Sequence, residues 1–266
     1  MVEMDLYLLD RGHIMSDRNF AIDGTTAATY SDRNPDADYG EFAVWNLLVD
    51  HPEATVLWDT GSHPDAADGY WPESLFEAFA HPDAGERDLP TALADVGYTL
   101  DDIDVVVQSH LHLDHAGGLH RFGGTDVPVY VHRREVEFAY LSAKTPAGAN
   151  AYLASDFDRE LNWAVVAGER QLLPGFDLLH LPGHTPGLLG ARLETDAHGT
   201  VLVAGDEAFL AANYEEGAPM GQSLTTDDAA WRESRRRLKD IERRTDATVL
   251  LGHDPERTAT LRERWG

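Results

Sequence analysis

A chain of 266 residues, 42% of them hydrophobic and 26% charged, is composed like a folded globular protein and unlike a disordered one. Its 47 acidic side chains against 21 basic ones give a formal charge of −26, which excludes nucleic acid and anionic membranes as expected partners, since both are held mainly by Lys and Arg. The absence of cysteine excludes disulfides, thiolate nucleophiles and Cys-ligated zinc or iron–sulfur centres, so any metal must be held by His, Asp or Glu.

From the N-terminus, Met1-Val2-Glu3-Met4-Asp5 lacks the basic flank of a signal peptide, and no apolar run approaches the roughly 20 residues of a membrane helix. A cytoplasmic protein of one domain, residues 1–266, is expected. Short apolar runs bounded by Gly, Asp, Pro or His predict strands at 6–9, 42–49, 55–58, 105–108, 127–131, 178–181, 188–193, 201–204 and 248–251. Amphipathic spacing predicts helices at 74–80, 90–96, 133–141, 227–244 and 255–264. For the fourth helix Thr226 is the expected N-cap, with Asp in the first turn and Arg in the last, as the helix dipole favours. Its Arg235-Arg236-Arg237 run is interrupted by Asp240 and Glu242 and reads as a solvated face. Strands and helices interleaved in this way predict an α/β layered fold.

The acids divide into 29 Asp and 18 Glu, while Lys144 and Lys239 are the only lysines among the bases. That skew resembles halophilic proteins of salt-filled cells, where molar salt screens the self-repulsion of an acidic surface. One weak internal echo is present: the runs 55–59 and 200–206 are both apolar strands that end at an aspartate, Asp59 and Asp206.

After the strand 105–108 comes His110-Leu111-His112-Leu113-Asp114-His115-Ala116-Gly117-Gly118. Four ligand-type side chains fall within six residues, a pattern expected by chance about 0.003 times in a chain of this composition. In an extended turn alternate residues point the same way, so His110 and His112 face one cation, while Asp114 and His115, past the bend, face another. A catalytic metal keeps three or four protein ligands and an open position, so others should come from distant strand ends. His184 in Pro182-Gly183-His184-Thr185-Pro186-Gly187, Asp206, and His253 in Gly252-His253-Asp254 all follow predicted strands.

These residues, with Asp59-Thr60-Gly61, resemble the metallo-β-lactamase superfamily and within it the N-acyl-homoserine lactone hydrolase family, over nearly the whole chain. The resemblance implies an αββα sandwich with a dinuclear site at one sheet edge. It implies one metal on His110, His112 and His184, a second on Asp114, His115 and His253, and Asp206 as the bridge. Asp59 would orient a ligand imidazole through its other nitrogen. Two divalent ions are implied, zinc fitting best with iron, manganese or cobalt as alternatives. A hydroxide shared by the metals, its pKa lowered to about 7, would attack a carbonyl, with Asp114 shuttling the proton to the leaving oxygen. A lactone, N-acyl-homoserine lactone or a related one, is the small-molecule substrate that the resemblance implies.

In many homoserine lactonases a tyrosine three residues after the bridging aspartate donates to the substrate; here that position is Phe209. Tyr214 is a candidate replacement if its loop folds back, and Leu113, Trp71 and Phe76 are further lining candidates. Other branches of the superfamily fit less well. Cysteine-liganded lactamases are excluded by the composition, and RNA-processing members by the charge. Thioester, aryl-ester or phosphodiester hydrolysis is the alternative activity, and a non-catalytic metal-binding protein a further one. The sequence carries no sign of a particular oligomer.

Overall fold

Along β2 (Tyr39–His51) neighbouring side chains alternate between two apolar environments. Leu47 and Val49 pack with Val201, Val203, Leu189 and Leu193 in one cluster, whereas Leu48 packs with Leu89, Leu93 and Leu119 in another. β3 (Ala54–Trp58) does the same, with Val56 and Trp58 on the first side and Leu57 on the second. A strand covered on both faces reads as a continuous apolar run, which is why these segments stand out in the sequence. In the computed structural model, which describes residues 1–146 and 151–265, the chain folds as an αββα sandwich.

The remaining strands are β1 (Asp5–Asp17), β4 (Phe79–Ala80), β5 (Val105–Val107), β6 (Pro128–His132), β7 (Asn162–Val166), β8 (Arg170–Leu173), β9 (Phe176–His180), β10 (Leu189–Thr195), β11 (Gly199–Gly205) and β12 (Thr248–Leu251). One sheet has seven strands in the order β4-β1-β2-β3-β5-β6-β7, the other five in the order β12-β11-β10-β9-β8. The inner cluster lies between the sheets. Helices Leu89–Asp95 and Arg133–Lys144 cover the outer face of the first, and helix Asp228–Thr245 covers the second through Leu238 against Leu202 and Ala204.

Two parallel pairings position the site. β3 runs beside β5 with Trp58 opposite Val107, and β11 beside β12 with Gly205 opposite Leu251. The C-terminal ends of each pair therefore emerge together, and the two Asp-terminated runs, 55–59 and 200–206, deliver their carboxylates to one edge of the sandwich.

Several expectations are corrected. The helix expected at 74–80 is Glu73–Ala78, because Phe79 and Ala80 leave it to pair with Ser16 and Met15. Asp227, not Thr226, caps the long helix, its carboxylate accepting from the Ala230 N–H; the Thr226 hydroxyl is occupied by the Gly183 carbonyl. β7 and β8 lie at sheet edges and were not expected as strands. Among the described residues no helix is long and apolar enough to cross a membrane.

Candidate metal centre

The site is assembled from strand ends of both sheets. Past β5, Ser109 meets Asp59 at the end of β3: its N–H donates to Asp59 Oδ1 at 2.6 Å and its hydroxyl to Oδ2 at 2.7 Å. Asp59 sits at φ 58°, a left-handed conformation that costs a non-glycine residue roughly 1–3 kcal/mol and is held by these bonds. The turn aims its carboxylate at His115, whose Nδ1–H donates to Oδ2 at 3.0 Å. His115 is in the short helix Leu113–Ala116, which docks on the 59–63 loop through Gly117 and Gly118. A Cβ on Gly117 would stand 2.1 Å from the His63 nitrogen, so only glycine lets the helix approach this closely.

Seven groups converge. The ring nitrogens of His110, His112 and His184 lie 3.0–3.2 Å from one another, and three ligand sets have donor atoms within 4.8 Å: His110, His112 and His184; His110, His115 and Asp206; Asp114, His115 and His253. Asp206 stands between them. Its Oδ2 is 3.4 Å from His184 Nε2 and 3.8 Å from His110 Nε2, while Oδ1 is 3.2 Å from His253 Nε2 and 3.5 Å from His115 Nε2. All seven positions expected from the sequence come together, and His110 is shared between two sets.

Hydrogen bonding on the far side of each ring fixes which nitrogen is free. His184 Nδ1–H donates to the Leu224 carbonyl at 2.6 Å and His253 Nδ1–H to the Ala43 carbonyl at 2.9 Å, so both Nε2 atoms face the centre as lone pairs. His115 is fixed by Asp59 in the same way. The Ser109 hydroxyl gives its proton to Asp59 and therefore accepts from His110 Nδ1–H at 3.0 Å, leaving His110 Nε2 unprotonated. His115 Nε2 and Asp206 Oδ1 are buried without a hydrogen-bond partner. Several lone pairs packed against each other and two buried orphan atoms are the pattern of a site built for cations.

The electrostatics agree. Burial works to neutralise Asp206, yet His253 and His115 hold it well below the usual carboxylate range. Asp114 is likewise held down against burial, chiefly by His115. Burial would lower His115, but Asp114 and Asp206 raise it well above the ordinary imidazole value, whereas burial keeps His110 and His112 well below it. The centre thus attracts positive charge at the His115 end and presents neutral imidazoles at the other, as divalent cations require. Asp59→Asn turns an acceptor facing His115 into a mixed group; a ten- to hundredfold weaker hold on metal is expected, read by competition with a chelator. Unchanged metal affinity would remove the role given to Asp59.

Above the centre lies a cavity of about 750 Å³ with His112, Asp114, His184 and Asp206 at its floor. Ile14, Phe20, Phe42, Phe79, Leu113 and Phe209 line its walls, so Leu113 and Phe209 lie where they were expected. Tyr214 does not. Its ring is buried against helix Asp228–Thr245, its hydroxyl donates to Glu242 at 3.0 Å and the Lys239 ammonium covers its face at 3.9 Å. Trp71 and Phe76 pack against each other behind the wall, at 6.5 Å between ring centres, and do not line the cavity. Sequence reasoning missed Ser109, Glu135 and Tyr152, which belong to no motif, and gave no role to Thr185 of the 182–187 motif; all four hold the ligand segments.

The model of the Metallo-beta-lactamase superfamily matches residues 39–253. The chain belongs to the metallo-beta-lactamase superfamily. Within it, the chain belongs with the lactonases. It is 32% identical to N-acyl homoserine lactonase AiiB of Agrobacterium fabrum over 96% of this chain and 95% of that one. It is 31% identical to N-acyl homoserine lactonase AiiA of Bacillus thuringiensis subsp. kurstaki over 82% of this chain and 84% of that one. A solved N-acyl homoserine lactone hydrolase with the product N-hexanoyl-L-homoserine bound at its catalytic metal centre superposes with a TM-score of 0.83 at 27% identity, covering 98% of this chain and 96% of that one. Membership places the chain among the metal-dependent hydrolases of this superfamily.

Proposed function

We propose that this protein hydrolyses the lactone ring of N-acyl homoserine lactones or close relatives at a pair of divalent ions. The observation that carries the reading is the convergence of five imidazoles and two carboxylates beneath an apolar cavity, with His112, Asp114, His184 and Asp206 at its floor. We assign His110, His112 and His184 to one ion, Asp114, His115 and His253 to the other, and Asp206 to both, because its carboxylate stands within 4 Å of His110 and His184 on one side and of His115 and His253 on the other. Zinc suits this imidazole-rich, carboxylate-bridged set best, and iron, manganese and cobalt fit the same ligands. When bound, such ions supply Lewis acidity that polarises a carbonyl and acidifies water near neutral pH.

The protein's own groups do the rest. Asp114 lines the cavity with a carboxylate kept ionised beside His115 and His253, and takes the proton of the attacking water and returns it to the departing ring oxygen. The aromatic and aliphatic walls bind an acyl chain and exclude water from its length; the volume falls in the range of small-molecule sites. Each methylene buried there contributes about 0.8 kcal/mol, or roughly fourfold in kcat/KM. Phe209 packs on the His253 ring at 4.3 Å and offers no hydroxyl to the substrate. We read the enzyme as one domain acting on small molecules in a salt-rich cytoplasm, a reading that the acidic composition supports.

The test is mass-spectrometric ring opening of acyl-homoserine, γ- and δ-lactones by zinc-loaded protein, with chelator-treated protein as control. Chelator-sensitive opening that improves with acyl length is expected. Failure to open any lactone with two metals bound would discard the lactonase reading. In the same assay Phe209→Tyr is expected to raise turnover about tenfold or more, since a single donor to a developing oxyanion is worth up to about 3 kcal/mol; unchanged or lower turnover would show that this position does not limit the reaction.

A further inference from the structure

The three-histidine set is held from behind by a carboxylate that is neither in the ligand sets nor on the cavity wall. Glu135, in the first turn of helix Arg133–Lys144, is fully buried. Its Oε1 accepts from the Leu111 N–H at 3.0 Å and the Tyr152 hydroxyl at 2.8 Å, and its Oε2 from the Thr185 hydroxyl at 2.6 Å. Leu111 lies between His110 and His112, and Thr185 follows His184. The Tyr152 ring stands edge-on to the His112 imidazole at 4.5 Å between centres. Each of the three imidazoles that meet at 3.0–3.2 Å is therefore tied, through one intervening group, to this one side chain.

Close packing reinforces the tie. A Cβ on Gly187 would stand 2.2 Å from the Glu135 nitrogen, so the 183–187 loop rests directly on the helix backbone. Burying a carboxylate among apolar neighbours is costly, and here three donors from separate segments offset that cost. An amide in the same pose keeps its oxygen for Leu111 and Tyr152 but turns its NH2 toward the Thr185 hydroxyl, which loses its acceptor. Asp59 plays the matching part on the other side, through His115 and Ser109.

We infer that Glu135 is a positioning residue that sets the gap between the 110–112 segment and the 183–187 loop, and thereby the affinity of the three-histidine subsite for its ion. The inference rests on the metal assignment proposed above. Glu135 tunes the three-histidine subsite, whereas Asp59 acts chiefly on the other through its direct bond to His115 and reaches His110 only by way of Ser109.

Titrating chelator-stripped protein with cobalt(II), following its visible absorption and competition with a chelator, reads the two subsites separately from the fold. Wild type is expected to take two equivalents. Glu135→Gln is expected to keep one at near wild-type affinity and to hold the other about ten- to a hundredfold more weakly. Thr185→Val, which removes one of the three donors, should weaken the same equivalent by less, and Asp59→Asn should weaken chiefly the other one. If Glu135→Gln binds both equivalents as tightly as wild type while its melting temperature falls, Glu135 only supports the fold and the inference is wrong. Equal weakening of both subsites overturns it too. Should Glu135→Gln not fold, unchanged affinities in Thr185→Val decide against it. Wild type that takes up no cobalt overturns the metal assignment and this inference together.

Discussion

Asp206→Ala is expected to lower lactone opening by at least about a thousandfold, equivalent to about 4 kcal/mol, with the fold retained. The size follows from where the carboxylate stands. It is buried, and within 4 Å it faces His110 and His184 on one side and His115 and His253 on the other. Without it the imidazoles retain their outer hydrogen bonds to Leu224, Ala43 and Asp59, so the scaffold stays in place. What is lost is the carboxylate that stands within 4 Å of imidazoles of both ligand sets. Elemental analysis should find fewer than two metals per chain, and circular dichroism should match wild type. His112→Ala, which opens the three-histidine set, should behave alike. Full turnover in either variant would discard the ligand assignment.

The second large effect is on stability. Of the acids, 26 more are present than there are bases to pair with them (47 against 21), and many ion pairs that do form are exposed at both ends, such as Lys144–Asp158 and Arg232–Asp228. Exposed pairs contribute little, and a large net charge of one sign works against the compact state. The screening length falls from about 10 Å at 0.1 M salt to about 3 Å at 1 M. Raising KCl from dilute buffer to several molar should therefore stabilise the protein. A gain of about 5 kcal/mol would lift the melting temperature by roughly 10–20 °C for a chain of this size. Differential scanning calorimetry across a KCl series measures it directly. A melting temperature indifferent to KCl would remove the salt-adapted reading.

What could be read in the sequence follows from which physical signals are local. Central strands such as β3 and β11 announce themselves because both faces are buried, so all residues but an early threonine in each are apolar or glycine. Edge strands do not. β8, Arg170-Gln171-Leu172-Leu173, has exposed polar residues and lies at a sheet border, where a partner strand and not composition makes it a strand. β1 runs on to Asp17 through Arg11 and Gly12, across a shift in register between Asp10 and His13 that no apolar pattern reveals. The metal residues were legible because the chemistry demands particular side chains at short spacing or immediately after strands. Tyr214 was misjudged because its partners, Lys239 and Glu242, arrive from a helix distant in the sequence. Ser109, Glu135 and Tyr152 were invisible for the same reason, since a serine, a glutamate and a tyrosine signify nothing until folding sets them behind a histidine.

One consequence follows from the division of the seven groups between the sheets. His110, His112, Asp114 and His115 follow a strand of the seven-stranded sheet, whereas His184, Asp206 and His253 follow strands of the five-stranded one. Ions bound between them act as rivets across the sandwich. An ion that binds the folded chain alone adds RT ln(1 + [M]/Kd) to its stability, about 4 kcal/mol per site at a thousand times Kd. The cell's supply of free metal thus governs how long the two halves stay clasped as well as whether the enzyme turns over.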